Sequence, residues 1–332
     1  MAPLPSPIHR FLLTWTAFLL LASQAEARDI PCPDPFTDPK NDYCNPLRYI
    51  PTTALTAVSF SLILVVGIIQ VLSMWRYGAK WMLAMTIGCF TFALGLALRF
   101  GLHDDPQSTG IYIVFYLFTV LSPCAFIAAD YVLLGRIARA IGCGQYLAIS
   151  PRRITVVFVS SDITTFLIQA AGGGLSTSGK NNPELALTGS RVFLAGLALQ
   201  LLSFVIFTII YALFLYRVYR FRPTAWTQDK GMPWYKNWLS LAGALVLSCI
   251  GILIRSVYRT IELSEGFNGP LATNEALFYG LDTLPLFIAI AIYIPFWPGR
   301  YGLDAAAAAR DMSETTMTDN NQEKKTSQEA AQ

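Results

Sequence analysis

The feature that most limits what this chain can become is a set of seven apolar stretches, at approximately residues 53–73, 81–102, 111–134, 154–174, 191–215, 238–258 and 276–296. Each is close to the roughly 20 residues that a helix needs to cross the hydrocarbon core of a bilayer. In lipid every backbone N–H and C=O must find a partner within the protein, which a single helix achieves and an isolated strand does not. The expected fold class is therefore all-α: a polytopic membrane protein with seven transmembrane helices and no separate soluble domain. Composition agrees, with 54% hydrophobic residues, 14% charged residues and a mean hydropathy of +0.47, far from the values of soluble domains.

Sidedness follows from what flanks these stretches. At the amino terminus, His9 and Arg10 precede a short apolar run over residues 11–22, and Ala25-Glu26-Ala27 offers a small-residue cleavage site. Residues 1–27 thus read as a secretory signal peptide. Residues 28–50 are expected outside the cytosol and hold Cys32 and Cys44, which an oxidising compartment would pair. Cys89, Cys124, Cys143 and Cys249 fall in apolar spans or on the expected cytosolic side and read as free thiols. Fifteen Lys and Arg residues lie in the odd-to-even turns and the tail, against eight in the other segments and span ends. Positive charge favours the cytosol, so the amino terminus is expected outside and the carboxyl terminus inside. The transmembrane domain covers 51–298. Residues 299–332 are polar and expected to be a disordered cytosolic tail, with Ser and Thr residues open to cytosolic regulators.

Several chemistries lack their parts. The chain beyond the signal peptide has a single histidine, His103, too few for a histidine-rich zinc site or for triad hydrolysis in the presence of no second candidate. No enzyme activity and no cofactor are expected, and the seventh stretch has no lysine to carry retinal. Residues 174–181 have the spacing of a phosphate-binding loop, but Asn181 stands where Ser or Thr would hold magnesium and the segment leaves a membrane helix instead of a strand. Gly172, Gly173 and Gly174 read instead as a flexible loop closing the fourth helix. The basic and aromatic residues of 217–238 suit the headgroup level of a membrane better than nucleic acid.

What remains is ionisable residues within the apolar stretches. From Glu262, steps of four and seven reach Tyr258 and Arg255; from Glu275, the same steps in the other direction reach Tyr279 and Asp282. Such steps stay on one helix face. If the last two helices are antiparallel neighbours, Arg255 is level with Asp282, Tyr258 with Tyr279 and Glu262 with Glu275, with Arg259 offsetting the two glutamates. A buried Arg255–Asp282 ion pair is the sharpest expectation, either fixing helix packing or touching substrate. Asp162 lies near the middle of the fourth stretch, Gln200 near the middle of the fifth, and Asp130 nearer the cytosolic end of the third. A charge at membrane depth costs at least ~2.5 kcal/mol on insertion scales, so each should face the bundle interior or a wet cavity. Ser160, Ser161, Thr164 and Thr165 are available to hydrogen-bond Asp162. Asp130 equally suits an interfacial ion network with Arg136, and Arg99 is expected to snorkel.

The runs SSDITTFLIQAAGGGL and ADYVLLGRIARAIG, with RSVYRTIE, NEALFYGLD and a Pro-rich end to the last span, resemble the fungal lipid-translocating exporter family, the RTA-like proteins. The resemblance covers roughly residues 46–302. It implies export or flipping of sphingoid long-chain bases and resistance to toxic amphiphiles, with membrane lipids and amphipathic cationic small molecules as partners; the plasma membrane is the first expectation for its location, with an endosomal or vacuolar membrane as the alternative. The residues suit such a substrate. A protonated amine needs carboxylate stations, for which Asp162 and Asp282 serve, with Glu262 and Glu275 at the outer lip and Asp130 deeper; Tyr258, Tyr279 and Gln200 suit its hydroxyls. Arg255 and Arg259 complete the candidate substrate-binding set. The competing reading is a seven-span receptor or sensor, although Asp130-Tyr131-Val132 and Tyr293-Ile294-Pro295 depart from the common G-protein-coupled patterns.

Overall fold

The computed structural model describes residues 32–42, 44–178, 183–227, 229, 231–233, 235, 237–266 and 269–303. The signal peptide expected over 1–27, the end of the phosphate-loop-like segment and nearly all of the expected tail lie outside these residues. Among the described residues the regular structure is all helical, without strands. Six helices are long and apolar enough to cross a membrane: α1 (Thr53–Tyr77), α2 (Leu83–Asp104), α3 (Thr109–Ala140), α4 (Pro151–Ser178), α5 (Pro183–Phe221) and α6 (Trp238–Glu265). The chain is an integral membrane protein.

The seventh apolar stretch departs from the single long helix expected of it. Glu275–Leu277 begins an α-helix, Phe278–Thr283 is wound as a π-helix, and Leu284–Ala291 returns to α form; this run, residues 275–291, is α7. Its physical cause lies at Pro285. Proline has no N–H to give to the preceding turn and its ring crowds the carbonyl four residues earlier, and a widened π turn is one way to absorb that conflict.

The helices are apolar outward and more polar inward, the reverse of a soluble bundle. Along α1, Leu55, Val58, Leu62, Val65 and Leu72 are exposed, while Thr56, Ser59, Gln70 and Ser73 are buried together with Ile63 and Val66. In lipid the outward face gains nothing from being polar, and the inward face holds the groups that need partners. Gln70 illustrates the rule: its side-chain amide donates to the Ile290 carbonyl of α7 at 3.1 Å. Each helix packs on its successor in sequence; α7 also returns to α1, closing a ring, and α3 crosses the middle to meet α6.

Two close approaches fix the ring. A Cβ added to Gly172 of α4 would meet the Phe193 backbone of α5, and one added to Gly189 would meet the Ser176 backbone. The glycine run of residues 172–174 is thus inside α4, which continues to Ser178, and is not the loop expected from the sequence. Its small residues let two backbones approach, which is how membrane helices gain packing energy. Gly251 of α6 plays the same part against the Pro285 carbonyl of α7. At the amino-terminal end, Cys32 and Cys44 form a disulfide with Cα atoms 6.0 Å apart. Gln107, in the α2–α3 turn, holds that loop by donating to the Pro33 carbonyl at 2.7 Å and to Asp42 Oδ2 at 2.9 Å.

Candidate functional site: a paired ion network and a carboxylate without an ion pair

The ionisable residues at membrane depth form three separate arrangements. The first joins α3, α6 and α7. Arg255 Nε donates to Asp282 Oδ1 at 2.8 Å, and Arg259 Nε donates to the same oxygen at 2.6 Å. Arg259 Nη1 also donates to Glu262 Oε2 at 3.0 Å. Two arginines therefore face two carboxylates, and Asp282 is fully buried. Arg255 is further held from α3, where its Nη2 donates to the Thr119 carbonyl at 2.6 Å. That carbonyl is free for a reason in the sequence: it lies four residues before Pro123, which sits inside α3 and has no N–H to return. Further hydrogen bonds help a buried ion pair offset its desolvation; the proline supplies one of the acceptors, while Asp282 Oδ2 and Arg259 Nη2 complete no hydrogen bond.

The second arrangement is at the disulfide-bearing end. Arg99 is fully buried and its Nη2 donates to Glu275 Oε1 at 2.9 Å. Glu275 also accepts from the Thr52 backbone N–H at 2.8 Å and hydroxyl at 2.6 Å, tying the start of α1 to the start of α7. The Arg99 guanidinium lies 4.4 Å from the Phe278 ring centroid and within 5.6 Å of the Tyr49, Phe115 and Tyr279 centroids. It is an enclosed cation among aromatic faces and does not snorkel, contrary to the expectation for a residue near a span end. The reason is that α7 brings it an acidic partner.

The same facts correct the expected ladder between α6 and α7. Arg255 and Asp282 are level, but Tyr258 donates to the Leu271 carbonyl at 3.1 Å while Tyr279 hydrogen-bonds Thr56 at 2.9 Å. Glu262 stays with Arg259, whereas Glu275 turns to Arg99. Arg259 therefore balances Glu262 and Asp282, not two glutamates. A π turn has a longer repeat than an α turn, so counting by four and seven from Asp282 toward Glu275 crosses Phe278–Thr283 and lands on a different face.

The third arrangement lies between α3, α4 and α5. Asp162 is only 4% exposed, and neither carboxyl oxygen completes a hydrogen bond. Thr165 donates to the Asp162 backbone carbonyl and Thr164 to that of Ser160, so the local hydroxyls expected to serve the carboxylate serve the helix backbone instead. The Tyr131 hydroxyl lies close enough to act on the carboxylate, and Asp162 in turn acts on Cys124; the Tyr131 oxygen also completes no hydrogen bond by geometry. Above Asp162, Gln169 Nε2 donates to Gln200 Oε1 at 2.7 Å, and Gln200 Nε2 to Cys124 Sγ at 3.1 Å. Gln169 Oε1 is buried without a partner. No arginine or lysine joins this group in any ion pair among the described residues.

Asp130 belongs to none of the ionic arrangements. It is fully buried and accepts from Ser248 Oγ and the Tyr293 hydroxyl, each at 2.8 Å. The interfacial ion network expected with Arg136 is replaced by two neutral donors from α6 and the segment after α7.

Three of the cavities that adjoin these groups reach between the helices. One of about 100 Å³ is lined by Tyr112, Tyr116, Phe166, Gln169, Gly173 and Phe193 between α3, α4 and α5. A second, about 30 Å³, is lined by Val120, Gln200, Arg255 and Arg259. The third, about 20 Å³, carries Tyr49, Arg99, Tyr116, Arg259 and Glu262 toward the disulfide-bearing end. They share walls: Tyr116 borders the first and third, Val120 the first and second, and Arg259 the second and third.

Sequence reasoning overlooked Pro123 with Thr119, as well as Tyr131, Gln169 and Gln70. The first had a signal, a proline in mid-span whose i−4 carbonyl must find another donor. The side chains of the other three are polar groups in apolar runs and differ from their neighbours only by which face they occupy.

The fold and site define a helical integral membrane protein with buried ion pairs between its helices and an apolar cavity beside them. The chain belongs to the RTA1-like protein family, which it matches over residues 85–304. Relatives include Protein RTA1 of Saccharomyces cerevisiae, 31% identical over 64% of this chain and 63% of the relative, and Protoporphyrin uptake protein 1 of the same yeast, 31% identical over 62% and 65%. The sphingoid long-chain base transporter RSB1 of Saccharomyces cerevisiae is 26% identical over 62% of this chain and 61% of the relative. The matches thus span somewhat less than two thirds of the relatives' lengths. No solved structure matches the chain.

Proposed function

We propose that this protein moves single-chain amphipathic cations, of the sphingoid long-chain base type, across a fungal membrane and so protects the cell from them. In this reading the chain crosses the bilayer seven times, α7 being the seventh crossing, with the amino terminus outside, the carboxyl terminus cytosolic and the plasma membrane as its site. The excess of basic residues in the odd-to-even turns and tail supports that orientation.

The observation that carries the reading is Asp162, a carboxylate near the middle of a membrane helix, buried, with no arginine or lysine paired to it among the described residues and no completed hydrogen bond. Such a group is costly unless function retains it, and an ammonium head is a fitting partner. Phe166 and Gln169 lie four and seven residues further along α4, on one face with Asp162, and both line the apolar cavity. The cavity's near edge, at Phe166, is then about 6 Å of helix rise from the carboxylate, so one alkylammonium spans both. Gln200 and the unpartnered Gln169 Oε1 suit the hydroxyls of its head. Arg259 and Glu262, on the cavities toward the disulfide-bearing end, would form the outer exit, while Arg255, Asp282, Glu275, Tyr258, Tyr279 and Asp130 hold the helices around it. The names of two relatives, a sphingoid long-chain base transporter and a protoporphyrin uptake protein, support amphiphile movement as the general class.

The test is reconstitution. Purified protein in vesicles free of other proteins should move a radiolabelled long-chain base across the bilayer faster than protein-free vesicles do. Equal rates would remove direct transport and leave a sensor of membrane amphiphiles as the better account.

A further inference from the structure

Asp162 raises a question of charge that the amphiphile alone does not answer. A buried carboxylate with no ion pair is unstable as an anion, because burial in low dielectric without a partner costs several kcal/mol. Between substrates it therefore needs a resident cation. A metal ion is poorly served here: hard cations gather about six or more oxygens, and among the described residues no three His, Cys, Asp or Glu side chains assemble anywhere. The groups that face Asp162 are few. From α3 come Tyr131 and Cys124, both neutral hydrogen-bearing side chains, and the Tyr131 environment includes Ser203 of α5. From α5, Gln200 stands over Cys124 and does not titrate. From α4 itself come Thr165 and Gln169, which do not titrate either. Arg255, whose charge reaches Cys124, is committed to Asp282 and Thr119. The proton is the cation left.

We propose that Asp162 is a proton-exchange site, protonated when empty and giving up its proton as the ammonium head of an amphiphile docks, so that one proton is exchanged for one organic cation. This rests on the transport reading above and adds its energy source. The step is balanced: the carboxyl O–H breaks, the proton leaves to water on one side, and the ammonium takes its place as counter-ion, so the site is neutral in both states. Export against a gradient then follows whenever the outside is more acidic than the cytosol. Because the exchanged proton belongs to Asp162 and not to the amine, the cation carried need not itself titrate.

That last point sets the test. Vesicles holding the purified full chain are given a long-chain base whose nitrogen is fixed as a trimethylammonium, which cannot shed a proton and does not cross lipid unaided. An imposed gradient of about one pH unit should drive accumulation of the probe on the acidic side up to about tenfold, the limit for one-for-one exchange, with matching proton movement read by a trapped pH dye. Asp162→Asn should lose the response to the gradient, and Asp162→Glu, which keeps a carboxyl group, should retain it. Transport of the probe that ignores the gradient would overturn proton exchange while leaving the transport reading standing. Transport of the titratable base without the trimethylammonium probe would also overturn it, since the proton would then be the amine's own. Failure to move any long-chain cation would overturn both.

Discussion

Asp282 and Asp162 are both aspartates at membrane depth, both at most 4% exposed, and they are treated in opposite ways. Asp282 receives two arginines from α6, one of which is secured in turn by a carbonyl freed at Pro123. Asp162 receives no cation and no completed hydrogen bond. The first arrangement is what three helices need in order to hold together in lipid, where burying apolar surface does not drive association. The second contributes nothing evident to holding them. A buried charge that meets counter-ions, as Asp282 does even with its Oδ2 unbonded, reads as structure, whereas one that meets none reads as a place for something that comes and goes. Asp130, held by two hydroxyls, is intermediate: fully hydrogen-bonded, but without a counter-ion.

Substitutions can break or sharpen this contrast. The largest effect is expected at Asp282→Ala, which strands Arg255 and Arg259 without their shared acceptor. Removing one member of a buried pair costs about 3–5 kcal/mol, so the variant should lose most of its folded yield and unfold at much lower temperature in detergent. A variant as stable as the natural chain would mean that the network is not structural. Next comes Gly189→Leu, which drives side-chain atoms into the Ser176 backbone and forces α4 from α5. Overpacking typically costs about 1–3 kcal/mol, and because these helices wall the apolar cavity, binding of a fluorescent alkylammonium should weaken along with thermal stability. Tyr293→Phe leaves Asp130 Oδ1 without its donor, a loss of about 1–3 kcal/mol for a buried group; thermal unfolding should register it, with transport per folded molecule little changed. The smallest effect on folding is expected at Asp162→Asn. That change replaces a carboxyl group that has no ion pair with a neutral group of the same shape, so the unfolding temperature should stay level or rise. A pronounced fall would show that Asp162 has a structural partner after all and would dissolve the contrast with Asp282.

Much of the frame was legible because the bilayer imposes a simple rule. Apolar runs of about 20 residues read as helices, and six long ones are present. The Arg255–Asp282 pair was legible because ions inside apolar runs need partners and helical spacing says which ones share a face. The spacing argument failed at a particular place, the π turn of Phe278–Thr283 before Pro285, beyond which Glu275 and Tyr279 face α1 and α2 instead of α6. Proline was the warning in both α3 and α7, and in α3 it also marked where a freed carbonyl would receive Arg255. The glycines of residues 172–174 misled for another reason. Conformational freedom and close helix contact both call for glycine, and only the position of Phe193 distinguishes them. That Asp162 is unpaired was not legible at all, because nearby Ser and Thr residues can serve a side chain or the helix backbone with the same sequence.

The central claim, that Asp162 handles the cation while the Asp282 network holds the fold, is tested most directly by one efflux measurement. Fungal cells lacking their own exporter are loaded with a labelled sphingoid base, and release is compared for the natural chain, Asp162→Asn and Asp282→Asn at matched amounts of folded surface protein. The account predicts release by the natural chain, full abundance but no release for Asp162→Asn, and for Asp282→Asn low abundance with release per folded molecule largely kept. Release by Asp162→Asn at the natural rate would contradict it.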